Sequence, residues 1–384
     1  MVDFWQVNLN PVTAIVIITG TLTFTITCYI VNKFKIVRGH NRSFTNMQRL
    51  KEVTIPNVVF EILIIAYVIV MLSVMVYSIQ SKGLSVALST LFSSYIASIK
   101  GAATLNLSTF LSAMFTFFSC AGYVWCYLLA VQWTQKRFNW RIMVLILESV
   151  IMGAALGKRG ESVALLACLM IDLILMLRKE GSKKRSKRIY FFIGLIIIII
   201  PLVFQTISTA MGRESYLFDP FEYISIYIGG PILNLDISIQ RGNFNHPVFL
   251  SETLFSLYRS IGSNFNIFSL IYPTDRKFLA SANGKRIGNV DTTFFDFYHD
   301  GGMTGVIILT IIMALIIQNL YKKIRSGTAK YNMFSTMLFS YMLWLVARSF
   351  FANSFYEWIT LSTGRTLIVW WVLSLLLDNK KAVR

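Results

Sequence analysis

Four long apolar runs constrain this chain more than any other feature of its sequence. They cover residues 11–31, 57–79, 108–131 and 190–208. Each run reaches the roughly 20 residues that a helix needs to cross a hydrocarbon core of about 30 Å. Because a span must satisfy its backbone hydrogen bonds internally, we expect these runs to be transmembrane helices. Only 14% of the residues are charged, whereas soluble domains carry about 25%, which argues against a soluble fold.

Shorter apolar stretches bring the predicted total to about nine spans. The fourth and fifth spans are predicted at residues 142–156 and 163–177, and three more spans follow residue 301. We therefore predict an all-α integral membrane protein, a polytopic helical bundle of about nine or more spans. Its predicted parts are spans one to six in residues 1–208, a large outer loop in 209–300, and spans seven to nine with a cytoplasmic tail in 301–384.

The distribution of basic residues predicts how the chain is oriented. Alternate connections carry 23 lysine and arginine residues, whereas the short connections on the other side carry five. The basic connections are residues 33–51, 136–141, 178–188, 322–330 and 380–384. Because cytoplasmic connections are enriched in Lys and Arg, we expect the N-terminus outside and the C-terminus in the cytoplasm. The net charge of +18 thus reflects orientation, and no nucleic-acid partner is predicted.

The predicted outer loop, residues 209–300, is too long for an ordinary connection. Loops longer than about 12–15 residues usually carry function or their own structure. This loop contains seven basic and nine acidic residues, a mixture that suits a cleft for a polar substrate. Within it, Ser251 precedes an apolar pattern of helical period that stops at Gly262, which predicts a short amphipathic helix.

The turn between the fourth and fifth spans, Gly157-Lys158-Arg159-Gly160, predicts a phosphate contact. An arginine fork binds phosphate oxygens in a bidentate manner, and neighbouring glycines let a bulky lipid pyrophosphate approach the backbone. The alternative is that Arg159 reaches lipid headgroups. The spacing does not fit a nucleotide-binding loop, because Arg stands where Ser or Thr should bind magnesium. No cluster of Cys and His or of outer acids has the spacing of a metal site, so no metal is predicted.

The segment leading into the seventh span predicts a general base. If it is helical, Asp296, His299 and Asp300 share one face, so that a carboxylate can orient or charge the imidazole. Such a group can take a proton from a sugar hydroxyl. The alternative is an ordinary first helical turn, in which the helix dipole favours acids.

Three charged residues inside other predicted spans are compatible with a second function. Arg348, late in the eighth span, is expected either to face the same cavity as Arg159 or to pair with Glu148 or Asp172. These two acids are predicted at similar depth in adjacent spans, which would also suit a proton-coupled transporter. Structural acids that are protonated or hydrogen-bonded are the other explanation.

These motifs give the chain a resemblance to a known family. It resembles the O-antigen and oligosaccharide repeat unit polymerases of the Wzy type. The similarity rests on the turn 157–160, on Tyr227-Ile-Gly-Gly-Pro231, and on Thr292-Thr-Phe-Phe-Asp-Phe-Tyr-His-Asp-Gly-Gly-Met-Thr-Gly305. The predicted span number departs from the pattern, since many members look like they have ten or more.

The resemblance implies a metal-independent, inverting glycosyltransferase of the GT-C type, which uses no cofactor and lies in the bacterial plasma membrane. Its donor is a growing glycan on undecaprenyl pyrophosphate, and its acceptor is one lipid-linked repeat unit. A chain-length regulator, a flippase and the membrane lipids are the other implied partners.

The resemblance also implies roles for individual residues. Cations stabilise the departing pyrophosphate, and a base activates the attacking hydroxyl. The base is expected to be His299 or Asp296, with Asp300 beside them. The expected cations are Arg159 with Lys158, Arg213, Arg241 or Arg348. Two other functions remain open: a flippase or transporter of lipid-linked glycans, and an O-antigen ligase.

Overall fold

The described part of the chain is mostly helical. The computed structural model describes residues 7–33, 55–82, 108–154, 159–180, 194, 220–242, 248–272, 279–280, 284, 286–326 and 332–378. The helices are α1 (Pro11–Lys33), α2 (Asn57–Lys82), α3 (Thr109–Thr134), α4 (Trp140–Ala154), α5 (Arg159–Glu180), α6 (Pro220–Arg241), α7 (Phe255–Phe265), α8 (Thr293–Ser326), α9 (Asn332–Ala347), α10 (Ser354–Glu357) and α11 (Leu361–Asp378). Two short strands, β1 (Leu279–Ala280) and β2 (Arg286–Gly288), pair antiparallel.

Six of the described helices are long and apolar enough to cross a membrane. Their candidate spans are Pro11–Lys33, Asn57–Tyr77, Thr109–Thr134, Gly160–Leu177, Thr293–Arg325 and Met333–Phe350, and Leu361–Leu377 is a shorter apolar helix. The prediction of a helical, multi-pass membrane protein is therefore confirmed. The predicted sixth span, residues 190–208, lies outside the described residues apart from Gly194. The total of nine spans and the GT-C likeness stay predictions.

The chain divides into two compact units. The first contains residues 1–45, 218–329 and 342–365, and the second contains residues 46–217, 330–341 and 366–384. The predicted outer loop therefore belongs mainly to the first unit, and the turn at 157–160 belongs to the second.

A buried tyrosine ties together the helices of the second unit. The Tyr67 hydroxyl donates to the Phe118 carbonyl (2.6 Å) and accepts from the indole of Trp125 (3.0 Å) and the hydroxyl of Ser149 (2.9 Å). Gly122 lets α3 and α4 approach closely, because a Cβ there would lie 2.7 Å from the Cβ of Ser149. Satisfied polar groups and small residues thus hold helices that are apolar on every side.

Helix α8, in the first unit, is broken near its start. Gly301 and Gly302 have non-helical backbone angles, and the φ of Gly302, +57°, is one that glycine adopts without strain. The break separates a short arm, residues 293–300, from a long helix, residues 303–326. Gly305 lies against the carbonyl oxygen of Phe297, where a Cβ would collide. The arm and the long helix therefore pack against each other directly after the break.

Contacts with α1 show that the arm folds back along the long helix. The ring of Phe294 occupies the space that a Cβ on Gly20 would need, and the ammonium of Lys322 donates to the carbonyl of Val31 (2.7 Å). At 1.5 Å per residue, Gly20 and Val31 are about 16 Å apart along α1, whereas a straight α8 would separate its two contacts by about 42 Å. Both contacts can form together only if the chain reverses its direction at Gly301 and Gly302, so that the arm lies back along the long helix.

Helix α6 and β2 are held together at a glycine of the Tyr227–Pro231 motif. A Cβ on Gly230 would lie 2.6 Å from the carbonyl oxygen of Ile287. One helical turn later, the amide of Asn234 donates to the carbonyl of Val290 (2.9 Å). The missing side chain lets the strand approach the helix, and the contact fixes the chain just before the arm.

The same helix caps the start of α1 with a buried carboxylate. Asp236 accepts the backbone N–H of Asn10 (2.8 Å), the hydroxyl of Thr13 (2.6 Å) and the amide of Gln240 (2.7 Å). Negative charge at a helix N-terminus is stabilising. These contacts give Asp236 a structural role within the first unit.

Helix α7 is the predicted short amphipathic helix, but its predicted end is wrong. It continues past Gly262 to Phe265, and Asn266 takes the left-handed conformation (φ 57°) that ends it. Gly262 serves close packing instead, because a Cβ there would lie 2.8 Å from the side chain of Ile271. Asparagine tolerates this conformation better than most residues.

Candidate functional site

A buried polar cluster lies where three segments of the first unit meet. The segments are residues 251–253 before α7, residues 291–300 around the arm, and residues 353–354 at the start of α10. Ten of its residues are less than a tenth exposed: Ser251, Glu252, Thr253, Asp291, Thr292, Thr293, Asp296, His299, Asn353 and Ser354. Together with Asp300 these residues form what we call the polar cluster. Burying so many polar groups is costly unless they are hydrogen-bonded, which makes the polar cluster a candidate functional site.

Asp300 latches the arm to the segment before α7. Its carboxylate accepts the backbone N–H of Thr253 (2.7 Å), the backbone N–H of Glu252 (3.0 Å) and the hydroxyl of Ser251 (3.3 Å). The carboxylate group stands at the end of the arm, next to the glycine break. Hydrogen bonds to an ionised acceptor are about twice as strong as neutral ones, so this contact holds the arm firmly.

Asn353 closes the cluster from its third side. Its side-chain oxygen accepts the hydroxyl of Thr293 (3.0 Å), and its side-chain nitrogen donates to the carbonyl of Thr253 (3.1 Å). One asparagine therefore joins the first residue of the arm to the segment that Asp300 holds. Both ends of the arm are fixed by side-chain hydrogen bonds.

Tyr272 supports the same segment from outside the cluster. Its hydroxyl donates to the carbonyl of Ser251 (2.7 Å). Burial raises the pKa of Tyr272, and the nearby carboxylates of Glu252 and Asp300 raise it further. The hydroxyl therefore stays protonated, and remains a donor, at neutral pH.

His299 lies inside the cluster beside the latch. Its Nδ1 is 3.4 Å from the Oδ1 of Asp300, and neither side chain has exposed surface. A neutral imidazole that donates from Nδ1 to this carboxylate keeps an unprotonated Nε2, which is the tautomer that a general base needs. This contact joins the imidazole to the carboxylate of its chain neighbour. Asp296 lies on the same arm and is equally buried.

The predicted cations are spread over both units. Arg348 is half-buried at the start of the short 3₁₀ helix Arg348–Phe350, and Arg241 is the exposed last residue of α6. Arg159 is the first residue of α5, four residues before the predicted start of that span, and its side chain is outside the described part. Lys158 and Arg213 lie outside the described residues. The structure brings His299 and Asp300 together.

The two acids considered for transport lie in the second unit. Asp172 is buried in α5 and accepts a hydrogen bond from the hydroxyl of Ser340 in α9. Glu148, in α4, has a buried carboxylate oxygen without a hydrogen-bond partner among the described residues. Arg348 belongs to the other unit.

No metal site is formed by the described part of the chain. Within it, no group of three or more His, Cys, Asp or Glu side chains is arranged to hold a metal ion. Of the acids of the polar cluster, Asp300 accepts hydrogen bonds from protein donors.

Sequence reasoning missed Asn353 and the segment 251–253. The sequence indicated a helix start at Ser251 and predicted no role for Asn353. A usable signal was present, because Asn353 and Ser354 are polar residues between two pairs of aromatic and apolar neighbours. Polar groups in such surroundings need partners.

No family model, no curated protein and no solved structure matches the chain.

Proposed function

We propose that this protein polymerises undecaprenyl-pyrophosphate-linked oligosaccharide repeat units into a surface polysaccharide, on the outer face of the bacterial plasma membrane. The observation that carries the proposal is the polar cluster. The resemblance to Wzy-type polymerases rests in part on the motif 292–305, and this motif forms the arm and the glycine break. The cluster therefore concentrates the polar residues of that motif in one buried place.

The proposed reaction needs a base and a good leaving group. The acceptor hydroxyl attacks the anomeric carbon of the donor, and the bond from that carbon to the pyrophosphate oxygen breaks with inversion. The hydroxyl proton passes to Nε2 of His299, and the electron pair leaves with undecaprenyl pyrophosphate. Asp300 acts as a positioning residue, because it accepts from Nδ1 and stabilises the imidazolium that forms.

Cations would stabilise the negative charge that develops on the pyrophosphate. Arg159 is the leading candidate, because it starts a helix whose N-terminal dipole also favours anions. Arg348 is the candidate within the first unit, and Lys158, Arg213 and Arg241 complete the proposed set. The leaving group is already activated, so the proposed chemistry requires neither a nucleotide nor a metal.

Access to His299 sets a condition on this proposal. Because the imidazole has no exposed surface, the acceptor must open the polar cluster before it reaches Nε2. The segment before α7 is the natural part to move, since its ties to the arm and to Asn353 are hydrogen bonds of side chains.

The test is polymer formation by the purified protein from lipid-linked repeat units, in detergent with a chelator present. We expect His299→Gln to slow transfer by about 10²–10⁴ while the protein folds normally, since glutamine can still bond to Asp300 but is no base. Asp236→Asn is the matched control, because it alters a buried carboxylate of the same unit outside the polar cluster. It should polymerise at the wild-type rate per folded molecule.

Two outcomes would contradict the proposal. If His299→Gln polymerises at the normal rate, His299 is not the general base. If the chelator stops polymer formation by the wild type, the reaction requires a metal ion. In cells, deletion of the gene should leave glycans with one repeat unit. Absence of any surface glycan would favour the flippase or ligase alternatives.

A flippase or transporter of lipid-linked glycans is the second candidate. It is favoured by Asp172, a buried carboxyl group in a candidate span that is hydrogen-bonded to Ser340. Many transporters couple the movement of their substrate to the binding and release of a proton at such a carboxyl group. Asp172→Asn would abolish lipid-linked glycan translocation in that case, and would leave polymer length unchanged if the protein is a polymerase.

A further inference from the structure

An apolar pocket in the first unit lies against the start of the arm. One wall is formed by Ile17, Thr21 and Phe24 of α1, which share one face of that helix because they are spaced four and three residues apart. Thr292 and Thr293, two residues of the polar cluster, also line the pocket. The pocket therefore adjoins the place where the polymerisation reaction is proposed to occur.

The rim of the pocket is exposed to lipid. Its residues include parts of two candidate membrane spans, Pro11–Lys33 and Met333–Phe350. Phe350, at one rim, is 56% exposed, and Ile18 and Leu22, beside the other wall on α1, are 57% and 54% exposed. Exposed apolar residues of a span face the hydrocarbon core. A hydrocarbon chain can therefore enter the pocket from the bilayer.

The polar groups that line the pocket are engaged within the protein. None of its lining residues, all of which the structure describes, is charged. Lining hydroxyl groups donate to acceptors of the protein: Thr21 to the carbonyl of Ile17 (2.8 Å), Ser349 to the carbonyl of Leu345 (3.1 Å), and Thr293 to the side chain of Asn353 (3.0 Å). The hydroxyl oxygen of Thr292 is buried beneath the surface. The surface left for a ligand is thus mainly apolar, which suits a hydrocarbon chain.

The volume of the pocket fits a short stretch of such a chain. It measures about 260 Å³. An apolar cavity of about 150 Å³ binds benzene, so this volume corresponds to roughly ten carbon atoms. A long lipid would place one segment of its chain in the pocket and leave the remainder in the bilayer.

Shape must select the chain, because bilayer lipid is as apolar as the pocket. The rings of Phe24, Phe294 and Phe350 and the adaptable side chain of Met313 line the space. An isoprenoid chain has double bonds at regular intervals, so it has less conformational freedom to lose on binding than a saturated acyl chain. Its flat alkene units also make many contacts with aromatic rings. These properties favour an isoprenoid chain over a fatty acyl chain.

We infer that this pocket holds a segment of the isoprenoid chain of the lipid-linked substrate. The inference rests on the proposed function for the identity of that lipid. In the proposed reaction undecaprenyl pyrophosphate is the leaving group, so its chain must run from the polar cluster into the bilayer. The pocket adjoins the cluster at Thr292 and Thr293 and has a rim exposed to lipid, so it lies on such a path.

The test is native mass spectrometry of the full-length protein in detergent, with added undecaprenol or phosphatidylcholine. Undecaprenol carries neither glycan nor pyrophosphate, so its retention reports on binding of the isoprenoid chain. Thr21→Trp should lower undecaprenol retention about tenfold, because the larger side chain occupies the pocket. Thr25→Trp is the matched control and should bind undecaprenol as wild type does. Thr25 is exposed, lies outside the pocket, and makes the same kind of hydrogen bond one turn later, to the carbonyl of Thr21 (2.9 Å).

A second pair of variants covers the case in which the tryptophan turns towards the bilayer. Ile17→Phe enlarges a half-buried residue of the same wall, and Ile18→Phe alters its exposed neighbour outside the pocket. We expect only Ile17→Phe to lower undecaprenol retention. Normal retention by both Thr21→Trp and Ile17→Phe would overturn the inference. A loss of phosphatidylcholine in place of undecaprenol would also overturn it, because the occupant would then be an acyl chain.

Polymer formation by the same preparations separates this inference from the proposed function. If the wild type forms polymer and both pocket variants retain undecaprenol normally, the inference fails and the proposed function stands. If the wild type forms no polymer but retains undecaprenol, and Thr21→Trp lowers this retention, the isoprenoid pocket is supported and the proposed function fails.

Discussion

Replacement of Asp300 by asparagine should separate the latch of the arm from the chemistry proposed for it. The two carboxylate oxygens accept backbone N–H groups at 2.7 and 3.0 Å. Asparagine keeps one acceptor oxygen and turns an NH₂ group towards the other N–H. Hydrogen bonds to charged groups contribute about 1.5–3 kcal/mol, so we expect the free energy of unfolding to fall by about 2–4 kcal/mol.

The measurement is unfolding of the purified protein in mixed micelles titrated with a denaturing detergent, followed by tryptophan fluorescence. Ser260→Ala is the matched control, because the Ser260 hydroxyl also accepts a backbone N–H, that of Leu361 (3.2 Å), but at an exposed position. Its loss should cost less than about 1 kcal/mol, since water replaces the partner. His299→Gln should unfold close to wild type.

Two results would contradict the role assigned to Asp300. If Asp300→Asn unfolds within about 0.5 kcal/mol of wild type, the carboxylate does not hold the segment before α7. If His299→Gln is destabilised as much as Asp300→Asn, the imidazole helps to hold the arm in place. A loss of activity in the His299→Gln variant would then not identify His299 as the base.

Further predictions concern other parts of the chain. Arg159→Lys should polymerise far less than its retained charge suggests, because the bidentate fork is lost, and repeat-unit number on a glycan gel measures this. Gly230→Ala should lower the unfolding free energy by about 1–3 kcal/mol, because its Cβ would meet a backbone oxygen. Gly364→Ala, with open space around it, should be neutral or stabilising by up to about 1 kcal/mol in the same unfolding assay. A reporter fused after Ser182 should read cytoplasmic, and one fused near Asn264 should read external; the opposite pair of signals would reverse the orientation.

The membrane helices could be predicted from sequence because one physical requirement dominates them. A run of apolar residues such as Pro11–Lys33 has a single stable state in a bilayer, whatever its neighbours are. Boundaries were harder where the polar turn was short. Helix α5 begins at Arg159 rather than near residue 163, because Glu161 and Ser162 continue the helix into the polar turn.

The site could be predicted only in part, for a reason that His299 illustrates. Helical spacing predicted that His299 shares a face with carboxylates, and this depends on local geometry alone. The bonds from Asp300 to Glu252 and Thr253 join residues nearly fifty positions apart, and no periodicity encodes such a pairing. Asn353 was missed for the same reason, since its partners Thr253 and Thr293 are distant in sequence.

The fold-back of the arm has a consequence for how the protein is assembled in the membrane. As one straight helix, α8 would be about 51 Å long, far beyond a hydrocarbon core of about 30 Å. The long helix, residues 303–326, is long enough by itself to cross this core. Insertion can therefore use the long helix alone, and the arm need not enter the hydrocarbon core. Phe294 then needs Gly20, which is made earlier, but Thr293 needs Asn353, which is synthesised 60 residues later. The arm is therefore locked only after α9 has been inserted, and the polar cluster is expected to be among the last parts of the first unit to form.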